Sequence, residues 1–177
     1  MLNKIVAIST EVADTVRQTM RAPVYGFPAH KQLVTDAAPC RHCLRLITPQ
    51  VDEAILFTYD RFSGVEELPQ PGPIYVHAKE CTRYDELGGF PEEIRGSART
   101  LEAYARGRRF IAQEYVVDGA FEAAITRLFA NREVDYLQVH STTAGCFTFR
   151  IERAPIAEAA IEKAINSCGV AIHEPPK

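Results

Sequence analysis

Short apolar runs, each cut off by proline, glycine or a turn-forming pair, make up most of this chain, and that punctuation limits it to strands of modest length. Leu2–Ile8, Lys31–Thr35, Leu44–Thr48, Ala54–Tyr59, Ile74–His77, Leu101–Tyr104, Phe110–Val117, Val134–His140 and Cys146–Glu152 all read as extended. The breaks between them include Pro23, Gly26 and Pro28, then Pro39, Pro49 and Gly64, and the rigid Pro69, Pro71, Gly72, Pro73 stretch. Against this background one segment has a sustained helical stripe. Phe121, Ala124, Ile125, Leu128 and Phe129 recur at i, i+3, i+4, i+7 and i+8, with Asp118 as a candidate cap and Asn131 at the end. A shorter helix follows Ser9 or Thr10, with Val12, Val16 and Met20 four apart, and a terminal one starts near Pro155 and runs through Ile161, Ala164 and Ile165 to Cys168-Gly169. The expected fold is α+β: a mostly antiparallel sheet with two or three packed helices. Residues 1–177 form a single domain, with 155–177 as a C-terminal helical extension.

Size and charge remove several classes of function. With 177 residues and 46% apolar content the chain can build its own core, so a metal is not needed merely to make it fold. No apolar run approaches the length of about 20 residues that a membrane helix needs. A net charge of −3 lacks the basic excess of a nucleic-acid domain. Arg95, Arg99, Arg106, Arg108 and Arg109 crowd one stretch as a candidate anion patch, although a mixed solvated face is the simpler reading. Five cysteines form an odd set, and Met1–Ile8 is too short and too soon polar for a secretory segment. A cytoplasmic location with reduced thiols is therefore expected.

Two groups of residues carry chemistry. In the first, Cys40-Arg41-His42-Cys43 is followed, after 33 residues, by His77-Ala78-Lys79-Glu80-Cys81. A two-residue gap lets one tight turn present two sulfurs to one ion, and zinc takes four thiolate or imidazole ligands in a tetrahedron. Cys40, Cys43, His77 and Cys81 thus make a candidate structural zinc site, if the chain turns after the strand ending near His77. The alternative is that they are packed thiols with a strand-end histidine. A redox Cys-x-x-Cys, assisted by His42, fits less well, because Leu44–Thr48 reads as a strand where a thioredoxin-like motif needs a helix N-terminus.

The second group comes from the late hairpin, closed by the five-residue loop Ser141–Gly145. Taking His140 and Cys146 as the closing pair puts Gln138, Tyr136, Thr148, Arg150 and Glu152 on their face and Leu137, Val139, Phe147, Phe149 and Ile151 on the other. His140 as base, Cys146 as nucleophile and Arg150 or Arg153 as anion holder would make a cysteine-dependent hydrolase or transferase. A mixed site, in which His140 or Cys146 completes coordination by Cys40 and Cys43, is also open. A non-catalytic interaction module is the third alternative, with an unknown small molecule or protein as partner, or a homodimer formed through the terminal helix.

Pro39-Cys40-Arg41, Gly72-Pro73-Ile74-Tyr75-Val76-His77, Leu128-Phe129-Ala130 with Val134-Asp135-Tyr136, and Gly145 through Arg153 together resemble bacterial domain-of-unknown-function family 1203. The resemblance covers most of the chain up to about Pro155 and implies no particular activity. The Pro-Cys-Arg and Gly-Cys units are typical of the pattern, whereas Cys43 and the His-x3-Cys ending at Cys81 are not features of every member. If the metal set belongs to this branch alone, the shared function would lie around Arg41, His140, Cys146 and Arg153.

Overall fold

The computed structural model describes residues 3–64 and 69–154, and every strand pairing among them is antiparallel. In chain order the elements are β1 (Asn3–Val6), α1 (Thr10–Thr19), β2 (His30–Leu33), β3 (Ala38–Pro39), β4 (Leu46–Ile47), β5 (Glu53–Asp60) and β6 (Pro71–His77). After a 3-10 turn at Glu92–Ile94 come β7 (Arg99–Tyr104), β8 (Phe110–Val116), α2 (Phe121–Ala130), β9 (Tyr136–Ser141) and β10 (Phe147–Arg153). They form a five-stranded sheet in the order β1-β10-β9-β7-β8, a three-stranded sheet β2-β5-β6 and a two-stranded ribbon β3-β4. This is the mixed α+β fold with two packed helices that the punctuation predicts. The predicted terminal helix lies outside the described residues.

The helical stripe does what its spacing requires. Phe121, Ala124, Ile125, Leu128 and Phe129 are buried against Leu101, Leu137, Val139, Phe149 and Ile151 of the large sheet. A second core joins Ala13 and Val16 of α1 to Ile55, Phe57, Ile74 and Val76 of the small sheet, and Cys40 and Cys43 are buried within it. Ser9 caps α1, its hydroxyl accepting from the Val12 N–H. At α2 the expected cap is absent: Ala120 occupies the N-cap, and Asp118 instead accepts from the Ala120 N–H in the preceding turn. Pro71 and Pro73 are tolerated in β6 because that strand pairs with β5 alone, so a missing N–H can face away from the ladder.

Two departures from the sequence reading matter for the site. The predicted strand Leu44–Thr48 shrinks to β4, because Leu44 adopts φ 56° and closes a turn in which its N–H reaches the Cys40 carbonyl at 2.8 Å. The late hairpin is also shifted by one residue. Ser141 bonds Cys146 across the loop, and Phe147, not Cys146, stands opposite His140. A bulge between Phe147 and Phe149 shifts the register by one more, so that Arg150 pairs with Gln138 and keeps the face that alternation assigns to it. As a result Phe147 leaves the face of Phe149 and Ile151, and packs in the second core beside Tyr59.

Candidate metal centre

Local backbone geometry explains how Cys40 and Cys43 come to share one side of a turn. The Cys40 N–H bonds the Arg45 carbonyl at 2.9 Å, the Leu44 N–H returns to Cys40, and the Arg41 N–H bonds the Tyr75 carbonyl at 2.9 Å, docking the turn on β6. β6 ends at His77, whose own N–H lies 3.4 Å from the Cys40 sulfur. The chain then turns and brings back Cys81. That loop is tied down by the Tyr84 N–H on the His42 carbonyl and by Arg83, which donates to the carbonyls of Ile8 and Ala7.

The outcome is a cluster in which Cys40, Cys43, His77 and Cys81 each offer a donor atom within 4.8 Å of every other. The Cys40 and Cys81 sulfurs are 3.9 Å apart, and the Cys43 sulfur is 3.5 Å from His77 Nδ1. A regular zinc tetrahedron built with ordinary Zn–S and Zn–N bond lengths has S···S edges of about 3.8 Å and S···N edges of about 3.6 Å. These four residues can therefore coordinate a metal ion.

A second layer of groups holds the donors in place. Arg17 of α1 is the chief of them: Nη2 lies 3.2 Å from the Cys81 sulfur, Nε donates to the His77 carbonyl at 3.1 Å, and Nη1 pairs with Asp14 at 2.9 Å. His42 is buried with Nδ1 3.3 Å from the same sulfur and Nε2 3.0 Å from the Thr10 hydroxyl. On the far side of His77, Nε2 is 4.0 Å from the Asp52 carboxylate, which accepts the Thr48 N–H at 2.8 Å. At that separation the carboxylate acts on the imidazole as a charge rather than through a hydrogen bond.

The cluster's protonation follows from these contacts. Hydrogen bonds to Cys40 and Cys43, joined by those from His42 and His77, hold the Cys81 thiol far below its usual range, whereas hydrogen bonding to Cys40 and Cys81, together with burial, pushes Cys43 up. Hydrogen bonding to Cys40 and Cys81 raises His77 to about 10. Both directions favour a thiolate at Cys81 beside a protonated His77. One wall of the cluster is open, since Cys43, His77 and Cys81 line a cleft of about 710 Å³ shared with Asp52, Lys79 and Glu80.

The hairpin group is arranged otherwise. His140 is buried, with Nε2 2.8 Å from Arg61 Nη1 and 3.3 Å from Glu102, and Nδ1 3.3 Å from the Gly145 carbonyl. The Cys146 sulfur instead faces the Ala144 carbonyl at 3.5 Å. His140 and Cys146 are thus not the closing pair the loop length suggests, and neither joins the metal cluster. The face expected to be the floor of an open cleft is largely covered: Gln138 is fully buried and donates to the Arg61 carbonyl, and Phe62 packs on Tyr104. What stays open is a cavity of about 390 Å³ at its edge, lined by Cys146, Phe147, Tyr59, Arg61 and Glu102.

The arginines have separate tasks. Arg153 donates to the carbonyls of Phe129, Asn131 and Val134, closing the end of α2, and Arg150 pairs with Glu152. Arg41 is buried, with Nε on the Phe147 carbonyl at 2.8 Å and Nη1 on the Pro39 carbonyl at 2.6 Å. Burial brings it down to about 10, with Cys146 opposing the shift and Arg99 adding to it. Arg99, grouped by sequence with a solvated arginine stretch, is in fact buried. Arg17, Thr10, Asp52 and Glu102 were not legible as site residues, because each reaches its partner across the fold and no local spacing announces it.

Fold and cluster together define an α+β protein with a half-buried cluster of three cysteines and one histidine that could hold a metal ion. The chain belongs to the DUF1203 family of proteins of unknown function, whose family model matches residues 37–153. No curated protein and no solved structure matches it. Among the described residues no helix is long and apolar enough to cross a membrane.

Proposed function

We propose that this protein binds one zinc ion through Cys40, Cys43, His77 Nδ1 and Cys81, and that the ion is structural. The observation that carries the reading is the convergence of four donor atoms within 4.8 Å, on residues 41 positions apart at their extremes. Three sulfurs and one imidazole are a soft set that suits zinc over magnesium or calcium. All four tetrahedral positions are taken by protein, so none is left for a reacting water. The ion would clamp the Cys40–Leu44 turn, the end of β6 and the loop to Tyr84 into one unit, and the open cleft beside Cys81 gives it a route in. Three thiols kept ready for a metal suit a reducing compartment, which supports a cytoplasmic location.

Metal analysis of untagged protein is the test. One zinc per chain is expected, lost in Cys43→Ser and Cys81→Ser, with a lower melting temperature after chelation. A folded sample without stoichiometric metal overturns the proposal.

A further inference from the structure

Arg41 and Arg99 stand out from the other buried groups because no carboxylate among the described residues pairs with either. They are 3% and 4% exposed, Arg99 acts on Arg41 as a like charge, and among the described residues neither forms an ion pair. Two guanidiniums taken out of water with no ion pair among the described residues are costly. Neither guanidinium bonds a donor atom of the metal cluster, and the guanidinium that does reach a cluster sulfur is that of Arg17, on Cys81.

Donor accounting points the same way. A guanidinium has five N–H donors. Arg41 spends donors at Nε and Nη1, and its Nη2 bonds nothing among the described residues. Arg99 has a single contact, Nη2 to the Ser97 hydroxyl at 3.5 Å, and its Nε is buried without a partner. The two side chains flank one turn: Arg99 is paired with Ser141, Ser141 bonds Cys146, and Arg41 holds the carbonyl of Phe147. Cys146, which follows that turn, lines the 390 Å³ cavity with Tyr59 and Phe147.

We propose that Arg41 and Arg99 form a buried receptor for a doubly charged oxyanion, a phosphate group, bound beside Cys146. Two uncompensated charges call for a dianion, and a phosphate carries close to two at neutral pH with several acceptor oxygens to share between two forks. The phosphate is either free or the head of a small ester whose remainder occupies the cavity by Tyr59. The site is independent of the zinc reading, because the contacts of both guanidiniums go to Phe147, Pro39 and Ser97 and none goes to a cluster donor.

The test is a thermal-shift and calorimetric titration of the full metal-loaded chain in a phosphate-free zwitterionic buffer, at constant ionic strength, with inorganic phosphate, phenyl phosphate and acetate. Phosphate should raise the melting temperature saturably and acetate should not. Arg99→Met should weaken phosphate binding by roughly 10- to 100-fold, the value of hydrogen bonds to a charged group. In the absence of phosphate it should melt at or above the wild type, since an unbalanced buried charge is gone. Phenyl phosphate binding at least tenfold tighter than phosphate assigns the cavity to an ester; equal or weaker binding assigns the site to free phosphate. No saturable phosphate response, an equal response to acetate, or an Arg99→Met protein that keeps the response and melts lower would each overturn the proposal. Zinc content measured on the same samples keeps this outcome separate from that of the metal centre.

Discussion

Arg17→Met tests the metal centre without touching a ligand. The guanidinium is 8% exposed on its side chain, so solvent screens it little, and one of its nitrogens sits 3.2 Å from the Cys81 sulfur. At an effective dielectric of about 20, two unit charges at that separation attract by roughly 5 kcal/mol before any desolvation is counted. After that cost, a hydrogen bond to a charged group is worth about 1.5–3 kcal/mol net. Methionine keeps most of the packing of the Arg stem in α1 and removes only the donors. Asp14, which loses its partner, is 44% exposed and is resolvated at little cost.

The full effect should therefore fall on the ion: zinc Kd rises by roughly 10- to 150-fold, read by competition with a chromophoric chelator, while far-ultraviolet circular dichroism of the loaded protein is unchanged. Arg17→Lys should lie between the two, since an ammonium supplies the charge but not a fork that serves Cys81, His77 and Asp14 together. A Met variant within threefold of wild type would refute the view that the cluster depends on this counter-charge.

Other outcomes follow from single contacts. Asp52→Asn keeps an acceptor for the Thr48 N–H but removes the charge behind His77, and should weaken zinc by about tenfold in the same competition assay. At Leu44, with φ 56° and 1% exposure, both Leu44→Ala and Leu44→Gly lose core packing, but only glycine relieves the left-handed backbone. Glycine should therefore be the more stable of the two by about 1 kcal/mol in urea denaturation, the reverse of their usual order. Burial raises Glu102, but hydrogen bonds from His140 and Tyr104 and the charges of His140 and Arg61 outweigh it and hold the carboxyl at about 2 against an ordinary 4.5. Its stabilisation, at most about 3 kcal/mol, is present in full above pH 4.5 and lost as pH falls toward 2. The stability gap between wild type and Glu102→Gln should shrink over that interval, and a gap that stays constant would show that the carboxylate charge is not what stabilises.

The four donor residues were legible because their chemistry is local twice over. A Cys-x-x-Cys turn needs only four residues, and a strand ending at His77 needs only a reversal to return Cys81. Strand punctuation and the 121–129 stripe were legible for the same reason. The hairpin pairing was not, because one bulge at Thr148 moves Phe147 to the opposite face. Alternation cannot report a bulge when the residues on both sides of it are apolar and either face has a core to receive them, as here with Phe147 in one cluster and Phe149 in the other. Arg99 was misread for a related reason: five arginines between 95 and 109 look alike in sequence, and only the pairing with Ser141 takes one of them inside.

That same pairing links the two sites. Arg41 lies between two metal ligands in sequence, and its side chain ends on the Phe147 carbonyl, so the turn that presents Cys40 and Cys43 also sets where one half of the arginine pair can stand. The stretch matched by the family, residues 37–153, contains all four donors, both buried arginines and Cys146, yet it leaves out Thr10 and Arg17 of α1. The donors and the oxyanion receptor are therefore assembled by one continuous part of the chain, whereas the charge that balances the metal is brought to it by the helix that precedes that part.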